Sequence, residues 1–196
     1  MNKINYDAEM QNILKNLKGK PSLFLHSCCA PCSSGCIEEL AEYFFVTVVY
    51  YNPNIDTDEE YAYRLSEQKR FLSERFGETV KIVDFGHCKE DFATIAKGRE
   101  NLPEGGERCF DCYRVRMEKA AELCKEGDYF ATTLTVSPLK NAAKINETGF
   151  LLASKYGVNY LPSDFKKRNG YLRSLENSKK FHLYRQNYCG CEYSKR

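Results

Sequence analysis

The run Leu23-Phe24-Leu25-His26, followed at once by Ser27-Cys28-Cys29-Ala30-Pro31-Cys32, constrains this chain more than any other stretch. Its apolar part reads as a buried strand, and Ser33-Ser34-Gly35 then leads into a helical pattern through Ile37, Leu40 and Ala41. A strand that breaks into a tight loop and resumes as a helix is the building unit of open parallel sheets. Such sheets place their sites at the carboxyl edge. Three thiols in that loop exceed what packing asks for, so they point to metal ligation or redox chemistry.

The alternation continues along the chain. Residues 44–51 are β-branched and aromatic and end in the turn Asn52-Pro53-Asn54. Thr57 with Glu60 three residues on forms a capping-box pattern for a helix that Gly77 stops. Further strands are expected at 79–85, 128–134 and 158–161. Helices are expected at 91–97, 111–125, from Ser137-Pro138 to Tyr156 with Gly157 as its cap, and at 171–181. The pattern predicts a three-layer, Rossmann-like α/β domain with a mainly parallel sheet over residues 21–196. Residues 1–20 read as an amphipathic helical extension with Ile4, Met10, Ile13, Leu14 and Leu17 on its apolar side. No secretion signal or long apolar run is present, so the expected compartment is the cytoplasm, with no membrane partner. The absence of G-x-G-x-x-G and of a Walker lysine loop argues against dinucleotide and P-loop readings.

Ten cysteines are unusual for such a chain. Reduced thiols are the rule in the cytosol, so clustering suggests metal rather than disulfides. Seven fall into three groups: Cys28, Cys29 and Cys32; Cys109 and Cys112; Cys189 and Cys191, with Gly190 free to turn the last two together. Two pairs would satisfy a structural zinc ion. Four thiolates would equally hold a cubane iron–sulfur cluster, leaving three for a second metal with an open position. Spacing alone does not say which four. Cys36, Cys88 and Cys124 lack paired thiols and read as small packing residues.

Charge is unevenly spread. Residues 164–196 hold nine basic and three acidic residues, a net of +6 where the whole chain carries +2. A basic end of this kind suits either a solvated face or contact with a phosphate backbone.

Taken together, His26-Ser27-Cys28-Cys29-Ala30-Pro31-Cys32, Tyr51-Asn52-Pro53-Asn54-Ile55, Arg108-Cys109-x-x-Cys112-Tyr113 and Tyr184-Arg185-Gln186-x-Tyr188-Cys189-Gly190-Cys191 resemble epoxyqueuosine reductases of the QueH type. Thr132-Thr133-Leu134 with Ser137-Pro138, and Asp164-Phe165-Lys166-Lys167 with Gly170-Tyr171, extend the match over residues 21–193. The resemblance implies an oxidoreductase that reduces epoxyqueuosine at the tRNA wobble position to queuosine. It also implies iron–sulfur dependence, no cobalamin, and a fold similar to the HUP and PP-loop nucleotide-binding proteins. The cysteine triple stands where such relatives keep a pyrophosphate-binding glycine-serine loop, which argues for metal in place of ATP.

Deoxygenating an epoxide takes two electrons, which no ordinary side chain supplies. The expected cofactors are a 4Fe-4S cluster and an additional mononuclear iron, drawn from the seven cysteines and fed by an unidentified electron donor. Cys28, Cys29, Cys109, Cys112, Cys189 and Cys191 are the expected cofactor ligands, with Cys32 alongside. Asp84, Asp164, Tyr113 and Tyr188 are the candidate proton donors, against capping and packing roles. Tyr61, Arg64 and Gln68 share a helix face that either meets nucleotide or is merely solvated. Arg64, Lys140, Lys166, Lys167, Arg168, Arg173 and Arg185 are the candidate tRNA contacts, Lys140 near a helix start with Asn141 and Lys144. Two rivals remain: an ATP-consuming tRNA thiolase of the PP-loop type, and a zinc-stabilised RNA-binding module without chemistry.

Overall fold

A computed structural model describes residues 4–195; the first three residues of the expected leading helix, and Arg196 of the basic tail, lie outside the described residues. Five strands form one sheet: β1 (Ser22–His26), β2 (Phe45–Tyr50), β3 (Lys81–Asp84), β4 (Tyr129–Thr132) and β5 (Asn159–Tyr160). Every pairing is parallel, and the spatial order is β3-β2-β1-β4-β5. In register, Leu25 of β1 faces Val48 of β2 on one side and Ala131 of β4 on the other. The chain winds outward from β1 to β3 and then returns to β4 on the opposite flank. The carboxyl ends of β1 and β4 therefore part at a topological switch point, where open sheets form a crevice.

The period-two alternation of the strands divides the core. Leu23, Leu25, Val46 and Val48 pack on one face against α2 (Ala30–Leu40) and α3 (Asp58–Phe76), through Ile37, Leu40, Phe71 and Leu72. Met10 and Leu14 of α1 (Tyr6–Asn16) join the same cluster. Phe24, Val49 and Phe130 face the other way, against Met117 and Ala120 of α5 (Glu107–Glu122) and Ile145 and Leu152 of α6 (Ala142–Tyr156). The result is the expected three-layer sandwich. A short α4 (Lys89–Ala96) precedes α5, and α7 (Gly170–Lys180) docks on α2, where Ser174 Oγ donates to the Pro31 carbonyl at 2.8 Å.

Local chemistry accounts for most boundaries. The Thr57 hydroxyl accepts from the Glu60 amide at 3.1 Å and starts α3, and Gly77 ends it. The Glu60 carboxylate does not close the capping box; it takes Arg64 Nε at 2.6 Å instead. Gly157 caps α6 in the left-handed conformation. Two helix starts differ from expectation. After β4 the chain makes a 3-10 turn (Thr133–Val136), and α6 begins only at Ala142, because Asn141 Oδ1 accepts from the Lys144 amide at 3.1 Å and supplies the cap that Ser137 would have given. Helix α5 begins earlier than expected, directly after Gly106, so Cys109 sits in its first turn.

Candidate metal centre

At the end of β1, Ser27 is anchored from three directions. Its amide donates to the Val49 carbonyl, its hydroxyl to Gln68 Oε1 at 2.8 Å, and its carbonyl accepts from Asn52 Nδ2 at 2.9 Å. Ser33 Oγ also donates to Gln68 Oε1, at 3.0 Å, tying the first turn of α2 to the same amide. Cys29 is extended, and Pro31 falls in the first helical turn, where its missing N–H is no loss. This brackets the triple: the sulfurs of Cys28, Cys29 and Cys32 all lie within 4.8 Å of one another, and Cys28 and Cys29 are 3.8 Å apart. Two thiolates on one tetrahedral metal with bonds of about 2.3 Å stand roughly 3.8 Å apart. Among the described residues no other three cysteine, histidine or carboxylate ligands are so close. Hydrogen bonds from Cys29 and Cys32 hold the Cys28 thiol well below its ordinary pKa, and the same sharing pushes Cys29 up to about 12. His26, wholly buried with Nδ1 2.8 Å from Thr132 Oγ1, is driven down to about 3 by burial and by the charge of Arg116, so it stands neutral beside the loop.

The other four thiols line a second, smaller cavity behind this loop. Cys109 and Cys112 come from the first two turns of α5, and Cys189 and Cys191 from the tail. The tail is strapped in place by backbone contacts: Tyr184 N to Glu67 at 3.1 Å, and the Asp56 amide to the Gly190 carbonyl at 3.0 Å. Ser194 Oγ, which donates to the Cys191 carbonyl at 2.8 Å, accepts from the Cys189 amide at 3.2 Å. Gly190 has φ +119°, and a Cβ there would meet Arg64 Nη1 at 3.1 Å and Asn54 Nδ2 at 3.3 Å. Glycine is required at that crossing. Burial pushes the Cys112 thiol up to about 12.

Three guanidiniums, those of Arg64, Arg108 and Arg116, are at most 2% exposed around these thiols. Arg116 Nη2 donates to Asn52 Oδ1 at 2.6 Å, and Nη1 lies 4.0 Å from Cys112 Sγ. Burial opposes its charge, and the sulfurs of Cys112, Cys189 and Cys28 outweigh that effect. Arg116 Nε, Arg108 Nε and Arg64 Nη2 have no hydrogen-bond partner, although each is buried. Cationic donors left unpaired beside seven thiols suit a negatively charged thiolate-held metal group, whose sulfur accepts such bonds.

In front of the triple lies a cleft of about 230 Å³. Cys28, Cys29, Cys32 and Cys189 border it, with Arg64, Lys140, Tyr188 and Arg185 around them and Leu139 and Tyr171 at its exposed lip. Lys140 and Cys189 border both cavities, so the two thiol groups are neighbours.

Comparison with known proteins identifies the family. The family model for epoxyqueuosine reductase QueH matches residues 23–196. The chain belongs to the QueH family. An epoxyqueuosine reductase QueH of Streptococcus pyogenes serotype M1 is 41% identical over 200 residues, covering 98% of this chain and 78% of its own length. One of Staphylococcus epidermidis is 40% identical (98% and 85%), and one of Thermotoga maritima 33% identical (88% and 90%).

In this QueH chain the seven expected ligand cysteines converge on two adjoining cavities, while Cys36, Cys88 and Cys124 stand apart with their sulfurs on backbone carbonyls. All ten are free. Of the expected proton donors, Tyr113 lines the four-thiol cavity and Tyr188 the cleft. The other two lie elsewhere. Asp84 accepts from Tyr61 Oη and the Gly86 amide at the end of β3, two strands from the switch point. Asp164 lies 2.9 Å from Lys166 Nζ, outside the cleft lining. Arg168 pairs with Asp7 and Glu39, and Arg173 with Glu39, so these two bind α1, α2 and α7 to one another and do not line the cleft. Lys144 pairs with Glu147. Lys166 and the exposed Lys167 flank the 3-10 turn, Lys166 Nζ reaching the Thr135 carbonyl. The face of Tyr61, Arg64 and Gln68 is buried and not solvated. Sequence reasoning missed Asn52, Asn54 and Arg108 as parts of the site. The stripe Arg108-Cys112-Arg116 at helical spacing was the available signal.

No helix of the described residues is long and apolar enough to cross a membrane.

Proposed function

We propose that this chain reduces epoxyqueuosine at the wobble position of tRNA to queuosine. The single observation that supports it best is the placing of two distinct thiol groups on adjoining cavities that share Cys189 and Lys140, one of them a cleft large enough to admit part of a nucleoside. Its membership of the QueH family, whose relatives bear the name epoxyqueuosine reductase, points the same way.

The spacing of the sulfurs favours a division of labour. Cys28, Cys29 and Cys32, close enough for one ion and leaving a side open to the cleft, would hold a mononuclear iron. Cys109, Cys112, Cys189 and Cys191, set around a cavity of their own, would hold a 4Fe-4S cluster. When bound, such groups supply electrons and a Lewis-acid position. The reaction breaks both carbon–oxygen bonds of the epoxide, forms a carbon–carbon double bond, and releases the oxygen as water at the cost of two electrons and two protons. The electrons originate from an external donor that has yet to be identified.

The protein's own groups prepare that chemistry. Arg116, Asn52 and Ser27 fix the loop to α5, so the two cavities keep their separation. Tyr113 and Tyr188, the tyrosines that line the four-thiol cavity and the cleft, are the preferred proton sources. At the lip, Arg185, whose guanidinium lies 6.0 Å from the Tyr171 ring, offers a cation and an aromatic face to an unpaired base and its phosphate. Lys140, Lys166 and Lys167 extend the basic surface along the backbone path.

Anaerobic purification followed by reduction and incubation with tRNA bearing epoxyqueuosine tests the reading. It expects a brown, iron- and sulfide-containing protein whose product nucleoside has lost one oxygen atom without ATP. A colourless zinc protein with no turnover, or one that needs ATP, would overturn it.

A further inference from the structure

Among the cations of the cleft, Arg64 is the most constrained. It is 2% exposed. Its Nε is held by Glu60 at 2.6 Å, its Nη1 reaches the Cys189 carbonyl at 3.4 Å, and its guanidinium lies 5.1 Å from the centre of the Tyr188 ring. Nη2 alone has no partner, though the side chain borders the cleft together with Cys28, Cys29 and Cys32. A buried charged donor left unpaired is costly, and one fixed on three sides cannot turn to find relief. It is also badly placed for the phosphate backbone, which Arg185 and Lys167 can meet from exposed positions. What Arg64 can meet is whatever a substrate inserts toward the triple.

We propose that Arg64 is a catalytic residue of this reductase: its Nη2 donates a hydrogen bond to the epoxide oxygen and stabilises the negative charge that grows there as the carbon–oxygen bonds break. The inference rests on the function proposed above. Arg64 remains a cation throughout. It gives up no proton, the two protons of the departing water coming from other groups and the two electrons from the reductant. Preorganised donors of this kind act without reorganising as charge develops, which is where hydrogen bonds contribute most to rate. The choice of a guanidinium follows from its number of donors: Nε is spent on Glu60 and Nη1 on the tail, and Nη2 is still left without a partner in a side chain that borders the cleft.

The test compares wild type with Arg64→Lys and Arg64→Ala, all loaded with iron. Before reduction, when no turnover occurs, wild type is expected to bind tRNA bearing epoxyqueuosine on the order of tenfold more tightly than the same tRNA bearing queuosine, which lacks the oxygen. Both variants should lose that preference, bind the queuosine form as wild type does, and keep their iron. After reduction, their single-turnover rate should fall on the order of 100-fold, and added guanidinium should restore part of the Arg64→Ala rate. The inference is overturned if wild type does not distinguish the two tRNAs, or if the variants retain the preference. It is equally overturned if they lose affinity for both forms with an unchanged rate, the behaviour of a phosphate contact, or if they lose iron, the behaviour of a structural residue. A reduced, iron-loaded wild type that yields no queuosine overturns the proposed function itself, a result separate from any behaviour of the variants.

Discussion

Arg116 of α5 donates to Asn52, in the turn after β2, at 2.6 Å. The same amide side chain donates back to the Ser27 carbonyl, so one buried asparagine ties the helix of Cys109 and Cys112 to the loop of Cys28 and Cys29.

Removing that tie leaves a buried guanidinium and a buried carbonyl without their main partner. Asn52→Ala is expected to cost about 3 kcal/mol. Thermal denaturation of the iron-loaded protein should fall by roughly 6–12 °C for a chain of this size. A change within about 2 °C would mean that the contact has no stabilising role.

The two thiol groups should fail differently. Cys29→Ala should cost about one iron per chain and leave the visible absorption of the cluster, whereas Cys112→Ala should cost about four and bleach it. Iron and sulfide analysis alongside the spectrum decides the matter, and equal losses from both variants would contradict the proposed division.

Gly190→Ala places a methyl group 3.1 Å from Arg64 Nη1 at a backbone angle that side chains seldom adopt. The expected result is displacement of Cys189 and Cys191, loss of most cluster iron, and about 1–3 kcal/mol of destabilisation. Full iron content with unaltered melting would show that the tail tolerates another path.

Lys167→Glu and Arg185→Glu should each weaken tRNA binding about tenfold in dilute salt, and much less near half-molar salt, without changing iron content. Filter binding across a salt series measures this. A salt-independent loss would point to disturbed folding in place of lost phosphate contacts.

Much of the architecture was legible because its signals are local. Thr57, Gly77 and Gly157 mark helix ends through their own backbone chemistry, and the alternation of Leu23, Phe24 and Leu25 assigns two faces of a strand. The start of α6 was misread because Ser137-Pro138 and Asn141 offer competing caps, and only the packing of the 3-10 turn before them decides between the two. The thiol groups were legible as groups, but their partition depends on distances between segments far apart in the chain. Asp84 shows the same limit. It ends β3, within the strand expected at 79–85, yet strand order puts β3 at the sheet margin, away from the crevice. Arg168 and Arg173 looked like free cations until the fold brought Glu39 and Asp7 against them. Whether a charge is available to a ligand depends on neighbours that a linear reading does not supply.

The strap that carries Cys189 and Cys191 follows every strand and helix of the sandwich. During synthesis, then, the strands and five of the seven grouped thiols are made before the last two. Until that strap docks, the second cavity has only Cys109 and Cys112 in place, half of the four thiols that line it. On the proposed division of ligands, the four-thiol site would be complete only after the strap has been made and docked.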